Sequence, residues 1–323
     1  MSAHLAIDLG TANTVVYRRG AGVVLDEPSV VAVHIDDGRL LAVGTDARDM
    51  LGRTPREIAT VQPVGNGLVT DLELCDRMLR YLISQLPRRR WARPHMVMCI
   101  PDGVTGVDRR ARQETAEAAG ARKPVDLIEE SIAAAIGAGL PVHEPAGNMV
   151  VDIGGGVTHV AVVSLGGIVA SESVRTGGHA LDEAIVGFAK AEYALAVGPR
   201  TAEHAKTEHA SAWPLEEEHY LDLGGRSLET DLPHTVTVST AELREAIAVP
   251  VVEIVDTIKK ALDRTPPELA VDIMERGLVI TGGSALLHGL GRRIGTEIEM
   301  PVFVADRPRH SVALGAGRYL ESL

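Results

Sequence analysis

The segment Asp8-Leu-Gly-Thr-Ala-Asn-Thr14 returns in kind as Asp152-Ile-Gly-Gly-Gly-Val-Thr158. Both read Asp, an apolar residue, Gly, three residues, then Thr. Each follows a short apolar run, Leu5-Ala-Ile7 or Met149-Val-Val151, and each precedes a β-rich run, Val15-Val-Tyr17 or Val160-Ala-Val-Val-Ser164. The pattern predicts two strand–turn–strand units with the same turn chemistry, about half a chain apart. Glycine lets the turn backbone approach a ligand closely, and successive N–H groups in such a turn can form an anion-binding nest. A carboxylate ending each strand can hold a hydrated Mg²⁺, an ion that keeps several waters when it binds phosphates. Two facing phosphate hairpins predict a nucleotide clamped between two related halves.

The rest of the chain is compatible with this. Its 323 residues suffice for two domains with sizeable cores. Ala, Val, Leu and Gly dominate, as suits an α/β protein. The net charge of −12 argues against general nucleic-acid binding. Cys75 and Cys99 read as reduced core thiols in a probable helix and strand, and the twelve histidines as scattered, mostly surface residues. The start enters a strand without a signal peptide, and no run of about 20 apolar residues exists, so the expectation is a cytoplasmic protein with at most peripheral membrane contact.

Residues 4–33 read as three strands. Asp71–Leu86 reads as an amphipathic helix with Asp71 as its N-cap, His95–Ile100 as a strand, 106–119 as a polar helix ending at Gly120, 125–128 as a strand and 131–137 as a small-residue helix. The second half repeats the order strand, turn, strand, strand, then a helix over 180–193. A mixed region over 200–240 and one long helix over 241–262 follow. Thr265-Pro-Pro267 then reads as a loop, since Pro cannot continue a helix. A strand over 276–280 leads into Thr281-Gly-Gly-Ser284 and another helix. A last helix near 311–320 returns to the first half. Strands interleaved with helices give α/β. Gly282-Gly283-Ser284, a strand followed by Gly-Gly at a helix start, is a third ligand element.

With these in order, the chain resembles the superfamily of actin, heat-shock chaperone and sugar-kinase ATPases, and within it the bacterial actin MreB/Mbl family. The segments that carry the resemblance are Ile7–Thr14, Asp26-Glu-Pro-Ser-Val30, Arg53-Thr-Pro55, Leu127-Ile-Glu-Glu130, Ala133–Gly137, Val150–Gly156, Ser164–Ile168, Arg200-Thr-Ala-Glu203, Thr265–Leu269 and Leu278–Gly283, in family order. The resemblance implies an actin-like fold: two related domains, each with a mixed sheet and helices, and four subdomains around a nucleotide cleft. Residues 1–144 with 309–323 would form domain I, its small subdomain about 32–64. Residues 145–308 would form domain II, its small subdomain about 181–240. ATP or ADP with Mg²⁺ would lie in the cleft. Gly10, Thr11, Ala12 and Asn13 would hold phosphates, as would Gly154, Gly155, Gly156, Val157 and Thr158. Asp8 and Asp152 would sit near the metal, Glu203 and Lys206 would reach the adenosine, and Gly282, Gly283 and Ser284 would flank the adenine. The implied output is head-to-tail self-assembly into filaments, a contact that need not close, with paired protofilaments at the inner face of the cell membrane. Membrane morphogenesis proteins, and a paralogue as co-assembling partner, complete the implied set.

The sequence also departs from the family pattern. A Glu and a Thr there position the attacking water. Glu130 matches the Glu, but Val157 stands at the Thr position, in Gly154-Gly-Gly-Val-Thr-His159 where Gly-Gly-Gly-Thr-Thr-Glu is usual. Valine can neither donate to nor accept from water. The reading is slow or absent hydrolysis, the alternative being compensation by Thr158 or a backbone group. Ser131 replaces a usual Pro, Ser284 a usual Gly, and Thr207-Glu-His209 an apolar run. Arg88-Arg-Arg-Trp-Ala-Arg93 stands out in an acidic chain. Trp91 suits the headgroup region, and Arg88, Arg89, Arg90 and Arg93 would attract anionic lipid. The alternatives are a solvated loop or a contact for a protein partner. For the whole chain they are a nucleotide-locked scaffold co-assembling with a paralogue, or a sugar-kinase-type enzyme.

Overall fold

A computed structural model of the chain describes residues 4–86 and 93–323. Two five-stranded sheets are built to one plan. In the first the strands lie in the order Gly22–Pro28, Asn13–Arg18, His4–Leu9, His95–Ile100, Asp126–Glu129; in the second, Gly167–Val174, Thr158–Ser164, Asn148–Ile153, Leu278–Thr281, Val302–Val304. In both, the first three are antiparallel and the last two join in parallel. The duplication read from two turns therefore extends to whole sheets.

Each sheet packs one face on its own apolar core. Between the sheets lies a third core, made of small residues on Glu130–Ala138 and on the closing helix Ser311–Ser322. These two helices touch backbone to backbone. A Cβ added to Gly315 would come within 1.8 Å of the Ala133 carbonyl oxygen, and one on Gly137 within 1.8 Å of that of Ser311. Smaller sheets extend each half: Val31–His34, Leu40–Val43 and Ile58–Val61 in the first, Leu195–Ala196, Tyr220–Ser227 and Pro233–Ser239 in the second.

Most predicted elements are present. The helix Leu72–Ser84 is capped by Asp71, whose carboxylate accepts from the Leu74 N–H at 2.9 Å. Cys75 and Cys99 are free and buried on the expected helix and strand, and burial pushes the Cys75 thiol up to about 12. Four local expectations are corrected. The third strand of 4–33 is two, Gly22–Pro28 and Val31–His34. The single helix over 241–262 is two, Thr240–Ala246 and Ala248–Asp263, because the Pro250 ring crowds the carbonyl four residues earlier and lacks an N–H. Pro267 opens a helix, Pro267–Arg276, rather than shaping a loop, since proline suits a first turn whose N–H groups lack partners. After Thr281 comes a short 3₁₀ turn, Gly283–Leu286, and the α-helix starts only at Leu290.

Candidate functional site

The two turns close alike. The Gly10 N–H donates to the Asn13 carbonyl at 3.1 Å, and the Gly154 N–H to the Val157 carbonyl at 3.0 Å. They meet tip to tip: a Cβ on Gly155 would lie 2.6 Å from Ala12 Cβ, and one on Gly156 3.0 Å from Thr11 Cγ2. Glycine is thus required where the halves approach. From behind, the N–H groups of Gly178 and His179, opening the helix Gly178–Tyr193, donate to the Gly154 and Gly155 carbonyls at 2.9 and 2.8 Å. The N–H groups of Thr11, Ala12, Gly155 and Gly156 find no acceptor among the described residues, which makes the facing turns a nest for an anion.

The turns floor a cleft of about 680 Å³. Asp8, Gly10, Thr11, Ala12, Asn13, Glu130, Asp152, Gly154, Gly155, Gly156, Val157, Glu203, Lys206, Gly282, Gly283 and Ser284 all line it. Thr158 does not. Its hydroxyl is buried and already donates to the Thr176 carbonyl at 2.7 Å, away from the cleft. Asn13 lines the cleft, but its amide already donates to Asp26 at 2.7 Å. Lys206 is held by Asp182 at 2.8 Å and the Gly178 carbonyl at 3.0 Å. Ser284 donates to the Gly154 carbonyl at 3.2 Å, tying the third glycine element to the second turn. Gly282 has φ +84°, and a Cβ there would strike the Ile153 carbonyl oxygen at 2.3 Å. The Arg88–Trp91 segment lies outside the described residues; Arg93 is described and exposed.

Below the turns sits a buried acidic group. Burial, then the charges of Glu130 and Asp152, hold the Asp8 carboxyl well above the usual range, with Arg112 opposing. Burial raises Asp152 although Thr281 donates to it at 2.7 Å. Burial likewise pushes Glu130 up to about 8, Arg112 again opposing. Arg112 is itself fixed, donating to the carbonyls of Leu9 at 2.8 Å and Gly67 at 2.7 Å. Such a group is suited to a divalent cation. Among the described residues no set of three ligands converges on one point, so a cation here would be held through its waters, as Mg²⁺ tolerates.

Several cleft residues escaped the sequence reading. His159 lies opposite Asp152 in the hairpin and lines the cleft. Counting the register outward from the turn would have placed it there. The Asn66-Gly67 turn wedges against both phosphate turns: the Gly67 N–H donates to Thr11 Oγ1 at 2.8 Å, and Asn66 Cα would meet a Cβ on Gly156 at 3.1 Å. Asn-Gly between apolar residues is a strong hairpin signal. Arg200, which lines the cleft, reaches Asp49, with 3.1 Å to its carboxylate and 3.2 Å to its carbonyl.

Comparison with known proteins agrees with this geometry. The family model described as MreB/Mbl protein matches residues 2–323. The cell shape-determining protein MreB of Escherichia coli (strain K12) is 48% identical over all of this chain and 94% of its own length. Crystal structures of MreB5 of Spiroplasma citri, one bound to AMPPNP and one to ADP, superpose with a TM-score of 0.95 at 32% identity, covering 100% of this chain and 97% of that one. A MamK double helical filament, 20% identical, shares the fold with a TM-score of 0.83 over 99% of each chain. The fold is actin-like.

Proposed function

The chain belongs to the MreB/Mbl family, and from that premise we propose that it is an ATP-binding, actin-like cytoskeletal protein that forms membrane-associated filaments and acts in cell shape or cell-wall synthesis. The observation that carries the reading is the pair of facing turns, whose unpaired N–H groups share one cleft with buried carboxylates. The N–H groups of Thr11, Ala12, Gly155 and Gly156 bind phosphates, and Asp8 and Asp152 hold the waters of Mg²⁺. When bound, Mg²⁺ offsets the charge on the phosphates. Glu203 and Lys206 face the adenosine, and Gly282, Gly283 and Ser284 the adenine. Glu130 orients the attacking water. The nucleotide-bound MreB5 structures support the ligand, and the E. coli relative's description supports the cellular role. The MamK filament supports self-assembly only as a precedent for the fold. We read the two large and two small sheets as four subdomains with the boundaries given above, and the protein as cytoplasmic, working at the inner membrane face.

Electron microscopy of the purified protein with ATP, ADP and a non-hydrolysable analogue tests this. Filaments are expected with ATP and the analogue, with few or none in ADP. No filaments under any condition, or no binding of a fluorescent ATP derivative, would sink it. Val157 keeps a second reading alive, a nucleotide-locked scaffold co-assembling with a paralogue; it has the same filaments without phosphate release.

Among the described residues no helix is long and apolar enough to cross a membrane. We assign lipid contact to Arg88, Arg89, Arg90, Trp91 and Arg93 on their charge and the amphipathic indole. Basic residues near an anionic surface contribute about 1 kcal/mol each. Trp91→Ala combined with Gln at the four arginines is expected to lower co-sedimentation with anionic liposomes at least tenfold. Equal pelleting would exclude this loop as the anchor.

A further inference from the structure

We propose that His159 is a water-positioning residue beside Glu130, supplying the polar contact that Val157 cannot make. The inference rests on the reading of the cleft as an ATP site.

His159 is 5% exposed and Glu130 8%, and both line the cleft. Neither ring nitrogen of His159 has a hydrogen-bond partner, and neither does Glu130 Oε1. The nearest approach, His159 Nε2 to Glu130 Oε2, is 3.7 Å, beyond a direct hydrogen bond. Leaving a buried polar group unpaired is costly, and such a group calls for an explanation. Three other histidines are bonded, His95 to Asp126 at 2.6 Å, His288 to Ser211 at 2.9 Å and His310 to Asp26 at 2.8 Å. His4 and His34 each leave Nδ1 without a partner, but neither lines the cleft and in neither are both nitrogens buried and unpartnered. A ring serving only to fill space would be better replaced by an apolar side chain.

The neighbours keep the ring free. Asp102 and Asp152 are the other carboxylates whose charge it feels. Asp102 accepts from the Ser131 N–H at 3.4 Å and from the Ser131 hydroxyl, while Asp152 accepts from Thr281. Ser131 follows Glu130 in the chain, His159 approaches it at 3.7 Å, and Val157 lines the same cleft. A neutral imidazole carries one donor and one acceptor, so it can fix a water that a carboxylate alone leaves free to rotate. In the step served, the water oxygen bonds to the γ-phosphorus as the bond to the β–γ bridging oxygen breaks. The electron pair leaves with ADP, and the water's proton ends on the released phosphate. His159 and Glu130 orient the water and take no net proton.

The test uses single-turnover phosphate release, the dissociation constant of a fluorescent ATP derivative, and the melting temperature without nucleotide. His159→Leu is expected to slow release at least tenfold, with the dissociation constant within twofold of the parent and no fall in melting temperature, because the ring makes no hydrogen bond to lose. His159→Gln, which places an amide near the Nε2 position, should recover most of that rate. His159→Asn, whose amide sits near Nδ1, should recover less. Parental release by His159→Leu, equal release by the Gln and Asn variants, a fall in melting temperature with unchanged release, or nucleotide binding with no release by the parent would each overturn the role of His159 and leave the ATP site standing. Absence of nucleotide binding by the parent would overturn the ATP site itself. If the Leu variant does not fold, the Gln and Asn pair still decides.

Discussion

Gly315→Ala is expected to lower the unfolding free energy by about 3 kcal/mol or more, the upper range for overpacking a close contact. Gly137 and Ala133 on one helix, and Gly315 and Ser311 on the other, are spaced four apart, so small residues line both sides of the crossing. With 1.8 Å between the added Cβ and the Ala133 carbonyl, the obstacle is backbone and cannot rotate away. The helices must separate. Glu130 opens the first of them, so the displacement reaches the cleft, and nucleotide affinity should fall with stability. Gly187→Ala is the control. That glycine lies in the helix Gly178–Tyr193 with open space around it, and the change should stabilise by about 0.5–1 kcal/mol. Urea unfolding measures both. A Gly315→Ala midpoint equal to the parent's would show that the helices are not held by this contact.

Val157→Thr should raise phosphate release by roughly ten- to a thousand-fold, the range for one positioning donor. The side chain is half-buried, lines the cleft, and sits at the second turn with a methyl 3.6 Å from where a Cβ on Gly67 would be. A hydroxyl there keeps the shape of valine and gains access to water. If His159 already orients that water, the gain falls at the low end of the range. In a His159→Leu background it should be larger. Phosphate release measured under assembly conditions decides, and an unchanged rate would mean that Val157 does not limit hydrolysis.

The turn chemistry was legible because it is local: Asp, Gly and Thr at fixed spacing mark a hairpin wherever they sit. Strand parity was the point of failure. Side chains alternate across a strand, so a slip of one residue exchanges the faces. Ile153 pairs with Thr158 and Asp152 with His159. The face that carries Asp152 to the cleft therefore carries His159, and the threonine turns inward to Thr176. Reading the parity outward from the turn would have put His159, rather than Thr158, on the cleft face. Pro250 and Pro267 misled differently. Pro250 was passed over inside one long helix, although it lies in the first turn of a new one, and Pro267 was read as a stop although it opens the next helix. The bridge from Arg200 to Asp49 spans 151 positions, and no local pattern announces it.

That bridge differs in kind from the contact between the turns. It is made by a residue that lines the cleft, and both partners are substantially exposed. An exposed ion pair contributes about 0–1 kcal/mol and weakens as salt rises. At the floor, by contrast, Gly155 and Gly156 press on Ala12 and Thr11 so closely that a Cβ on Gly155 would lie 2.6 Å from that of Ala12. The exposed pair breaks at almost no cost, whereas the packed turns yield only if both hairpins move.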